Sequence, residues 1–323
     1  MTITSENVWS YTDAYAFMEK VRKGMPPAII CCACNGGNQG KEASENIPET
    51  PDEIADSVYG AYTAGASMVH VHARDPRNLP SAAKTTEVWL EVNRKIRERC
   101  PDIIINDTTG GGPNLTMEER LLCLDAGPEV ASLNLAPNMF KSKIKERKSP
   151  LKHPHPEQTF DVCLPFTYGQ ISTWAGAMKK RGIKPELEIY HPGCAWVVND
   201  LIQQALIDKP YWIQTVMGFQ TSSYPTVKNT IDMLMELPEG SLWLCSGIGP
   251  FQLALTTLAT LMGGHVRVGF EDNVYYRRGE KAKSNAQLVE RAVRITHELN
   301  RGVATPAQAR QMLGLSPMPS KYA

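Results

Sequence analysis

The sequence lacks a net charge, a long apolar run and a secretory leader, and each absence excludes a class of protein. Its 34 Lys and Arg residues balance 34 Asp and Glu residues, which argues against nucleic acid as a partner, because nucleic-acid-binding domains are usually strongly basic. No stretch approaches the roughly 18 apolar residues of a membrane span, so we expect no membrane contact. The N-terminus has no basic region followed by an apolar one, and this predicts a cytoplasmic protein.

What the sequence does contain is an average globular composition. Apolar residues make up 42% of the 323 positions and charged residues 21%, which excludes a disordered chain. Such a length allows either two ordinary domains or one large α/β barrel. Composition alone does not choose between them.

The cysteines are typical of free thiols in a reducing compartment. Most of the eight lie inside apolar runs, and no leader directs the chain to an oxidising environment. The pair Cys32 and Cys34 has a spacing that would permit metal binding on a strand. The surrounding run of apolar residues favours a fully buried strand instead. The eight cysteines are at positions 31, 32, 34, 100, 123, 163, 194 and 245.

Strand and helix patterns alternate along the whole chain. This alternation predicts a parallel sheet, and eight repeats predict a closed (β/α)8 TIM barrel forming one domain over residues 1–323. Short additions precede and follow the barrel, and residues 137–166 form a Pro-containing insertion after the fourth strand. The predicted strands are 27–34, 67–73, 102–107, 129–136, 186–190, 211–217, 241–245 and 265–270. The predicted helices are 51–64, 86–99, 116–125, 167–180, 195–207, 226–236, 250–262 and 284–299.

The alternative fold is an open, doubly wound sheet that binds a dinucleotide. It would require a G-x-G-x-x-G turn after the first strand. The actual turn, residues 35–40, reads NGGNQG and does not fit that spacing. The barrel is therefore favoured.

The ends of the predicted strands carry the polar residues that suggest chemistry. His70 and His72 are two apart on one strand, so both imidazoles face the same side, as two ligands of a tetrahedral metal such as zinc would. Glu271 shares the strand face of Arg267 and lies one strand away from the histidines across strand one, so it is the candidate third ligand. Asp272 has the opposite parity; it either turns into the site or anchors a loop.

Arg267 would lie deeper in the barrel and would need an anionic partner. Asp272, a substrate carboxylate and a salt bridge that merely closes the barrel are all compatible with the sequence. Thr108, Thr109 and the following glycines would form a turn able to hold a carboxylate or phosphate.

Two basic segments could contact the phosphates of a large anionic cofactor such as coenzyme A. The first is the run of lysines and arginine in residues 141–152, for which a solvated loop or a subunit contact is the simpler interpretation. The second is Arg277 with Arg278, just after the eighth strand. His153 and His155 repeat the H-x-H spacing, but they lie in a Pro-flanked polar loop that is a poor metal site.

Five segments of the chain closely resemble the β-keto acid cleavage enzymes, from about residue 27 to 315. They are GASMVHVHAR (65–74), DTTGG (107–111), ASLN (131–134), GGHVRVGFEDN (263–273) and SNAQLV (284–289). The resemblance implies a (β/α)8 barrel, usually a homotetramer. It implies a reaction that joins a β-keto acid with acetyl-CoA and yields acetoacetate and a new acyl-CoA.

The resemblance also implies roles for particular residues. The ligands of Zn²⁺, or of another divalent metal, would be His70, His72 and Glu271. Asp272, paired with Arg267, would be the base that takes the α-proton, and the metal would stabilise the resulting enolate. Thr108 and Ser132 would fall on the family's substrate-binding hydroxyl positions, with Asn134 beside them. The predicted substrate-binding set is completed by Thr109 and Gly110 of the turn and by Asn38.

One position departs from the family's prototype. There, a Glu on the loop after strand one meets the substrate's amino group, whereas the corresponding residue here is Asn38. This favours a neutral or differently charged β-keto acid. A quaternary ammonium substrate would require an aromatic cage, for which Tyr168 and Trp196 are candidates.

Two other functions compete with this interpretation. One is a zinc-dependent barrel aldolase or hydrolase that does not use coenzyme A. The other is a catalytically silent metal-binding barrel, against which the intact set of candidate residues argues.

Overall fold

The computed structural model describes residues 10–112, 114–219 and 221–322. Its strands are β1 (Ile30–Ala33), β2 (Met68–Val71), β3 (Ile104–Asp107), β4 (Val130–Asn134), β5 (Asn138–Ile144), β6 (Gln158–Leu164), β7 (Lys184–Ile189), β8 (Tyr211–Met217), β9 (Ser241–Gly247), β10 (His265–Val268), β11 (Tyr275–Arg277) and β12 (Glu280–Lys281). Its helices are α1 (Ala14–Lys23), α2 (Pro51–Thr63), α3 (Thr86–Arg99), α4 (Tyr168–Lys180), α5 (Cys194–Gln203), α6 (Val227–Met235), α7 (Gln252–Leu261), α8 (Asn285–Glu298) and α9 (Pro306–Leu313).

Eight parallel strands close into a barrel in the order β1-β10-β9-β8-β7-β4-β3-β2. The register places β1 between β10 and β2, with Cys31 beside both Arg267 and Met68. The predicted (β/α)8 barrel is therefore confirmed, and so is the neighbourhood of the first, second and eighth strands. In such a barrel the functional residues gather at the C-terminal ends of the strands.

Helix boundaries follow local sequence signals where these are strong. Thr50 caps α2 through a complete capping box with Glu53, as the Thr-Pro-Asp-Glu sequence predicts. The predicted helix at 116–125 is wrong in type: a 3-10 helix occupies Glu119–Ala126 and ends at Gly127 in a left-handed conformation. Its eight residues make nearly three turns of 3-10 helix in the connection between β3 and β4.

The insertion after β4 is a β-hairpin. Strands β5 and β6 pair antiparallel from Asn138 opposite Leu164 to Ile144 opposite Gln158. Exposure alternates along β6, because one face of the ribbon lies toward the barrel and the other toward solvent. A second, shorter hairpin of β11 and β12 precedes α8.

The barrel interior is divided between an apolar floor and a polar top. At the floor, Ile29, Cys31 and Met68 pack with Trp212 and with residues of α9, so the C-terminal addition closes the barrel's lower end. The first nine residues of the predicted N-terminal addition lie outside the described part. No helix of the described residues is long and apolar enough to cross a bilayer.

All eight cysteines are free, and Cys163 on β6 is exposed while the others are buried. Cys32 and Cys34 belong to the apolar layer between strands and helices. Burial raises the pKa of both thiols, so they stay protonated and act as small apolar residues.

Candidate active site

His70, His72 and Glu271 meet at the top of the barrel. His70 lies on β2 and His72 immediately follows it, while Glu271 follows β10. His70 Nε2 lies 3.6 Å from Glu271 Oε2, and His72 Nε2 lies 3.3 Å from Glu271 Oε1. One ligand atom from each residue falls within 4.8 Å of the others, the one such cluster found in the described chain. The structure thus brings together the three residues predicted as metal ligands.

The donor atoms of this cluster fit a divalent metal. His72 Nε2 and Glu271 Oε2 are buried and make no hydrogen bond of acceptable geometry, an arrangement that costs free energy unless another group satisfies them. Burial lowers the pKa of His70 to about 3, so its imidazole is neutral. Burial would raise the pKa of Glu271, but Arg267 and the two imidazoles hold it well below its usual range. A neutral imidazole beside an ionised carboxylate is the protonation state that a metal ion requires.

Arg267 and Asp272 form a two-point ion pair beside this cluster. Arg267 Nε donates to Asp272 Oδ2 at 3.0 Å and Nη2 donates to Oδ1 at 2.9 Å. Ser246 Oγ donates to the same carboxylate at 3.1 Å. Burial raises the pKa of Asp272, although Arg267 opposes the shift. Arg267 also contacts Glu271 at 2.6 Å, so it links the candidate base to the candidate metal site.

Asp272 reaches the site because the chain turns sharply at Gly269. That glycine has a φ of +140°, and a Cβ there would lie 2.1 Å from the carbonyl oxygen of Ala33. The backbone N–H groups of Asp272 and Asn273 both donate to the Gly269 carbonyl. Only glycine fits this close approach, and the resulting turn overrides the strand parity that would have directed Asp272 away.

The predicted substrate-binding residues divide into two groups. Thr108, Gly110 and Asn134 line the cavity beside the cluster, and Asn134 Nδ2 is a buried donor without a hydrogen-bond partner. Thr109 and Ser132 lie behind them: Thr109 Oγ1 donates to the Ser132 carbonyl at 2.6 Å, and Thr109 N donates to Ser132 Oγ at 3.2 Å. These two residues hold the turn in place.

The backbone N–H groups of this turn are not open to a ligand. Gly110 N donates to Thr108 Oγ1 at 3.0 Å, and Thr108 N donates to the Val71 carbonyl. The Thr108 side chain satisfies the turn itself, so an anion would have to be held by the hydroxyls and not by these N–H groups, and anion binding by the turn stays a prediction.

A cavity of about 280 Å³ opens in front of the cluster. The loop between β1 and α2 (residues 34–50, the β1 loop) contributes Asn38 and Gln39. The hairpin of β5 and β6 contributes Leu164, and Phe166 follows it. Further apolar and aromatic surface comes from Tyr190, Val216 and Phe219. Tyr168 and Trp196 do not line it; they are 53% and 78% exposed, so these two candidates form no aromatic cage in this cavity.

Sequence reasoning missed Glu188. Its carboxylate lies 3.7 Å from Arg267 Nη1 and accepts a hydrogen bond from the Tyr190 hydroxyl at 3.2 Å. Burial raises its pKa to about 8, against the opposing charge of Arg267. The sequence signal that could have revealed it is the pair Glu186 and Glu188. They are two residues apart and so share one face of β7, where a buried strand would be expected to carry apolar residues.

Buried ion pairs fasten the hairpin to the β1 loop. Arg147, only 1% exposed in its side chain, reaches Glu49 at 2.7 and 2.8 Å and Glu42 at 2.8 Å. Arg74 donates to the carbonyls of Gly36 and Gln39 at 2.7 and 2.6 Å. The loop that carries Asn38 is therefore held from two sides.

His153 and His155 belong to this fastening and not to a metal site. His153 Nδ1 accepts from the backbone N–H of Leu79, and His155 pairs by its backbone with Arg147. The H-x-H spacing in this loop has a structural role.

Comparison with known proteins gives a consistent result. A family model described as beta-keto acid cleavage enzyme matches residues 27–315. The chain is 38% identical to the 3-keto-5-aminohexanoate cleavage enzyme of Fusobacterium nucleatum, over 90% of this chain and 99% of that protein. It is 30% identical to the 3,5-dioxohexanoate:acetyl-CoA acetone transferase of Paraburkholderia graminis, over 89% of this chain and 95% of that one. The solved apo structure of ObcA aligns with a TM-score of 0.67 at 18% identity, over 84% of this chain and 66% of that chain, and supports the fold alone.

Proposed function

Since the chain belongs to the β-keto acid cleavage enzyme family, we propose that it condenses a β-keto acid with acetyl-CoA and releases acetoacetate and a new acyl-CoA. The family and the acetyl-CoA-dependent relatives make it an acyl-transferring enzyme. The observation that carries the specific reaction is the Arg267–Asp272 pair beside the His70, His72 and Glu271 cluster. A carbanion reaction needs such a base next to a group that stabilises negative charge.

The protein's own residues supply the proton transfers of this reaction. Asp272 takes the proton between the two carbonyl groups of the β-keto acid, and the carbanion attacks the acetyl thioester, releasing the CoA thiolate. The thiolate then attacks the original keto carbon, and the bond from that carbon to the carbanion centre breaks. Asp272 returns its proton to the departing carbon, which leaves as acetoacetate, so the proton count balances.

Arg267 has two roles in this scheme. Its two hydrogen bonds fix the orientation of the Asp272 carboxylate, and its charge stabilises the ionised form in a buried site. Thr108 and Asn134 face the cavity. The Thr108 hydroxyl and the Asn134 Nδ2, which has no hydrogen-bond partner, would bind the substrate carboxylate or the carbonyl oxygens. A zinc or other divalent ion held by His70, His72 and Glu271 would supply Lewis acidity toward the keto oxygen.

The cavity supports a substrate with a neutral, largely apolar acyl group. Asn38 provides no charge where the family's prototype has a carboxylate for an amine, and Leu164, Phe166, Val216 and Phe219 form the apolar part of the wall. The carboxylates that line the cavity, those of Glu188, Glu271 and Asp272, lie close to Arg267 or to the histidines. A cationic acyl group would therefore find no unpaired carboxylate there.

The direct test is a panel of neutral, anionic and cationic β-keto acids, each with and without acetyl-CoA. We expect acetoacetate and the new acyl-CoA by mass, only when acetyl-CoA is present and fastest with a neutral acid. Consumption of the keto acid without acetyl-CoA would instead indicate an aldolase or hydrolase.

Replacement of Asp272 tests the assignment of the base. Asp272→Asn keeps the shape and should abolish turnover while the protein retains its metal. Asp125→Asn, which changes an exposed carboxylate paired with Arg181, is the matched control and should be fully active. Normal turnover by a fully metallated Asp272→Asn protein would contradict the mechanism.

A further inference from the structure

A second, larger cavity adjoins the catalytic one. It measures about 950 Å³ and lies between the hairpin of β11 and β12 and the segment after β9. Gln39 and Asp272 line both cavities. A molecule in the second cavity could therefore extend a thioester to the candidate base.

The walls of this cavity carry an excess of positive charge. Arg277, Arg278 and Arg291 all line it, and within the described chain only Arg277 pairs with a carboxylate, that of Glu280 at 2.5 Å. Arg278 is exposed and forms no ion pair or hydrogen bond with any described residue. An unpaired guanidinium fork of this kind is suited to bind phosphate.

Arg291 is a buried cation without a carboxylate. The residue is 8% exposed, its guanidinium lies 4.6 Å from the centre of the Tyr276 ring, and it donates to the Tyr276 carbonyl. Burial and the nearby Arg294 lower its pKa. A buried charge without a counter-ion is unfavourable, so an anion in the cavity would be stabilised by it.

Most of the other basic segment is neutralised: Arg147 pairs with Glu49 and Glu42, while the exposed Lys145 and Lys152 have no ion pair among the described residues. In the hairpin of β5 and β6, three lysines each have a carboxylate neighbour: Lys141 with Asp161 at 3.8 Å, Lys143 with Glu157 at 2.7 Å and Lys148 with Glu146 at 3.0 Å. The sequence offered both segments as phosphate contacts. Only the second segment lines the larger cavity, through Arg277 and Arg278, whereas no residue of 141–152 is among its lining residues.

We propose that the second cavity binds the phosphorylated nucleotide end of the coenzyme A co-substrate. Arg277 and Arg278 contact the phosphates, and the exposed ring of Tyr275 offers a stacking surface for the adenine. The neutral pantetheine arm passes the apolar side chains of Pro250 and Leu253 toward Gln39. This inference rests on the proposed function, because only that function requires an acyl-CoA.

The test reverses one unpaired charge in the full-length enzyme. Arg278→Glu should raise the KM for acetyl-CoA about tenfold, since it replaces attraction by repulsion, and should leave the KM for the β-keto acid as it is. With acetylpantetheine, which lacks the nucleotide and its phosphates, the variant and the wild type should behave alike. Lys180→Glu, an exposed charge at the end of α4, is the matched control. Lys145→Glu tests the competing hairpin.

Binding of CoA itself, measured by calorimetry, separates this proposal from the proposed function. Weaker CoA binding by Arg278→Glu, with unchanged binding by Lys180→Glu and Lys145→Glu, supports the subsite even if no β-keto acid is turned over. An unchanged affinity and KM in Arg278→Glu would overturn it, as would an equal loss in Lys145→Glu. An absence of turnover by the wild type with the whole panel would refute only the proposed function.

Discussion

Removal of Arg147 should separate the hairpin of β5 and β6 from the β1 loop. Its guanidinium makes three contacts of 2.7 to 2.8 Å with Glu49 and Glu42 and donates to the Lys152 carbonyl. Arg147→Met keeps most of the side chain's length but removes the ion-pair partner of two buried carboxylates. Breaking a buried pair in this way costs about 3–5 kcal/mol. We expect a loss near the lower bound, about 3 kcal/mol, because the hairpin can open and let water reach the carboxylates.

A double-mutant cycle measures this coupling. Urea unfolding is followed for Arg147→Met, Glu49→Gln and the double variant, and hydrogen exchange of the hairpin amides reports local opening. The double variant should lose about 1–3 kcal/mol less than the sum of the single losses. Arg22→Met, which removes an exposed ion pair of 3.4 Å with Glu19, is the matched control and should leave the free energy of unfolding nearly unchanged, because solvent screens an exposed pair.

The pH dependence gives an independent check of the same pair. Burial would raise the pKa of Glu49, but Arg147 and the Lys41 backbone N–H lower it below the ordinary 4.5. Its contribution to stability is therefore present above pH 4.5 and is lost as pH falls through the folded-state pKa. Without Arg147 the burial effect remains, so Arg147→Met should recover part of its deficit between pH 7 and pH 5. Additive losses in the cycle, together with a deficit that does not change with pH, would refute the reasoning.

Three further predictions concern the site. Burial raises the pKa of Glu188 to about 8, so the free energy of unfolding of the wild type should decrease as pH rises from 4.5 to 8, by up to about 1.4 kcal/mol per pH unit. Glu188→Gln should flatten that slope in urea unfolding, and an unchanged slope would contradict the raised pKa. A Cβ at Gly36 would lie 2.8 Å from Glu271 Cγ, so Gly36→Ala should lower metal content, whereas Gly182→Ala, with the same positive φ but open space around it, should not. His72→Ala should lose the bound divalent metal by elemental analysis while keeping its circular dichroism; full metal content would exclude His72 as a ligand.

Local sequence patterns predicted most of the barrel because each strand is a short buried apolar run. Residues such as Ile104 and Ile105 are buried, and an apolar run of this kind predicts a buried strand whatever the details of its packing. The prediction of an α-helix at 116–125 was wrong because the periodicity of apolar residues does not distinguish a 3-10 helix from an α-helix. The hairpin in 137–166 was missed because β5 shows no regular alternation of apolar and polar residues, and because a basic, proline-containing stretch separates it from β6, where Phe160, Val162 and Leu164 do alternate with polar residues.

The grouping of the three candidate metal ligands was predictable from the sequence, and their surroundings were not. His70 and His72 share a face by strand periodicity alone, and the position of Glu271 follows from the order of strands in a barrel. Glu188, in contrast, becomes part of the site only because β7 and β10 present their side chains to the same interior, where Glu188 approaches Arg267. Its altered pKa is a consequence of burial, which no local pattern reports.

Periodicities of a few residues were enough to predict the barrel, the polar residues at its strand ends and the candidate metal-ligand set. Tertiary contacts decided which polar groups face the cavity, which basic segment lines the second cavity and how Asp272 enters the site. Those features depend on contacts between residues far apart in the chain, such as the approach of Gly269 to Ala33 and of Arg147 to Glu49. Burial and distance set the energies of such contacts, and both exist only once the barrel has closed.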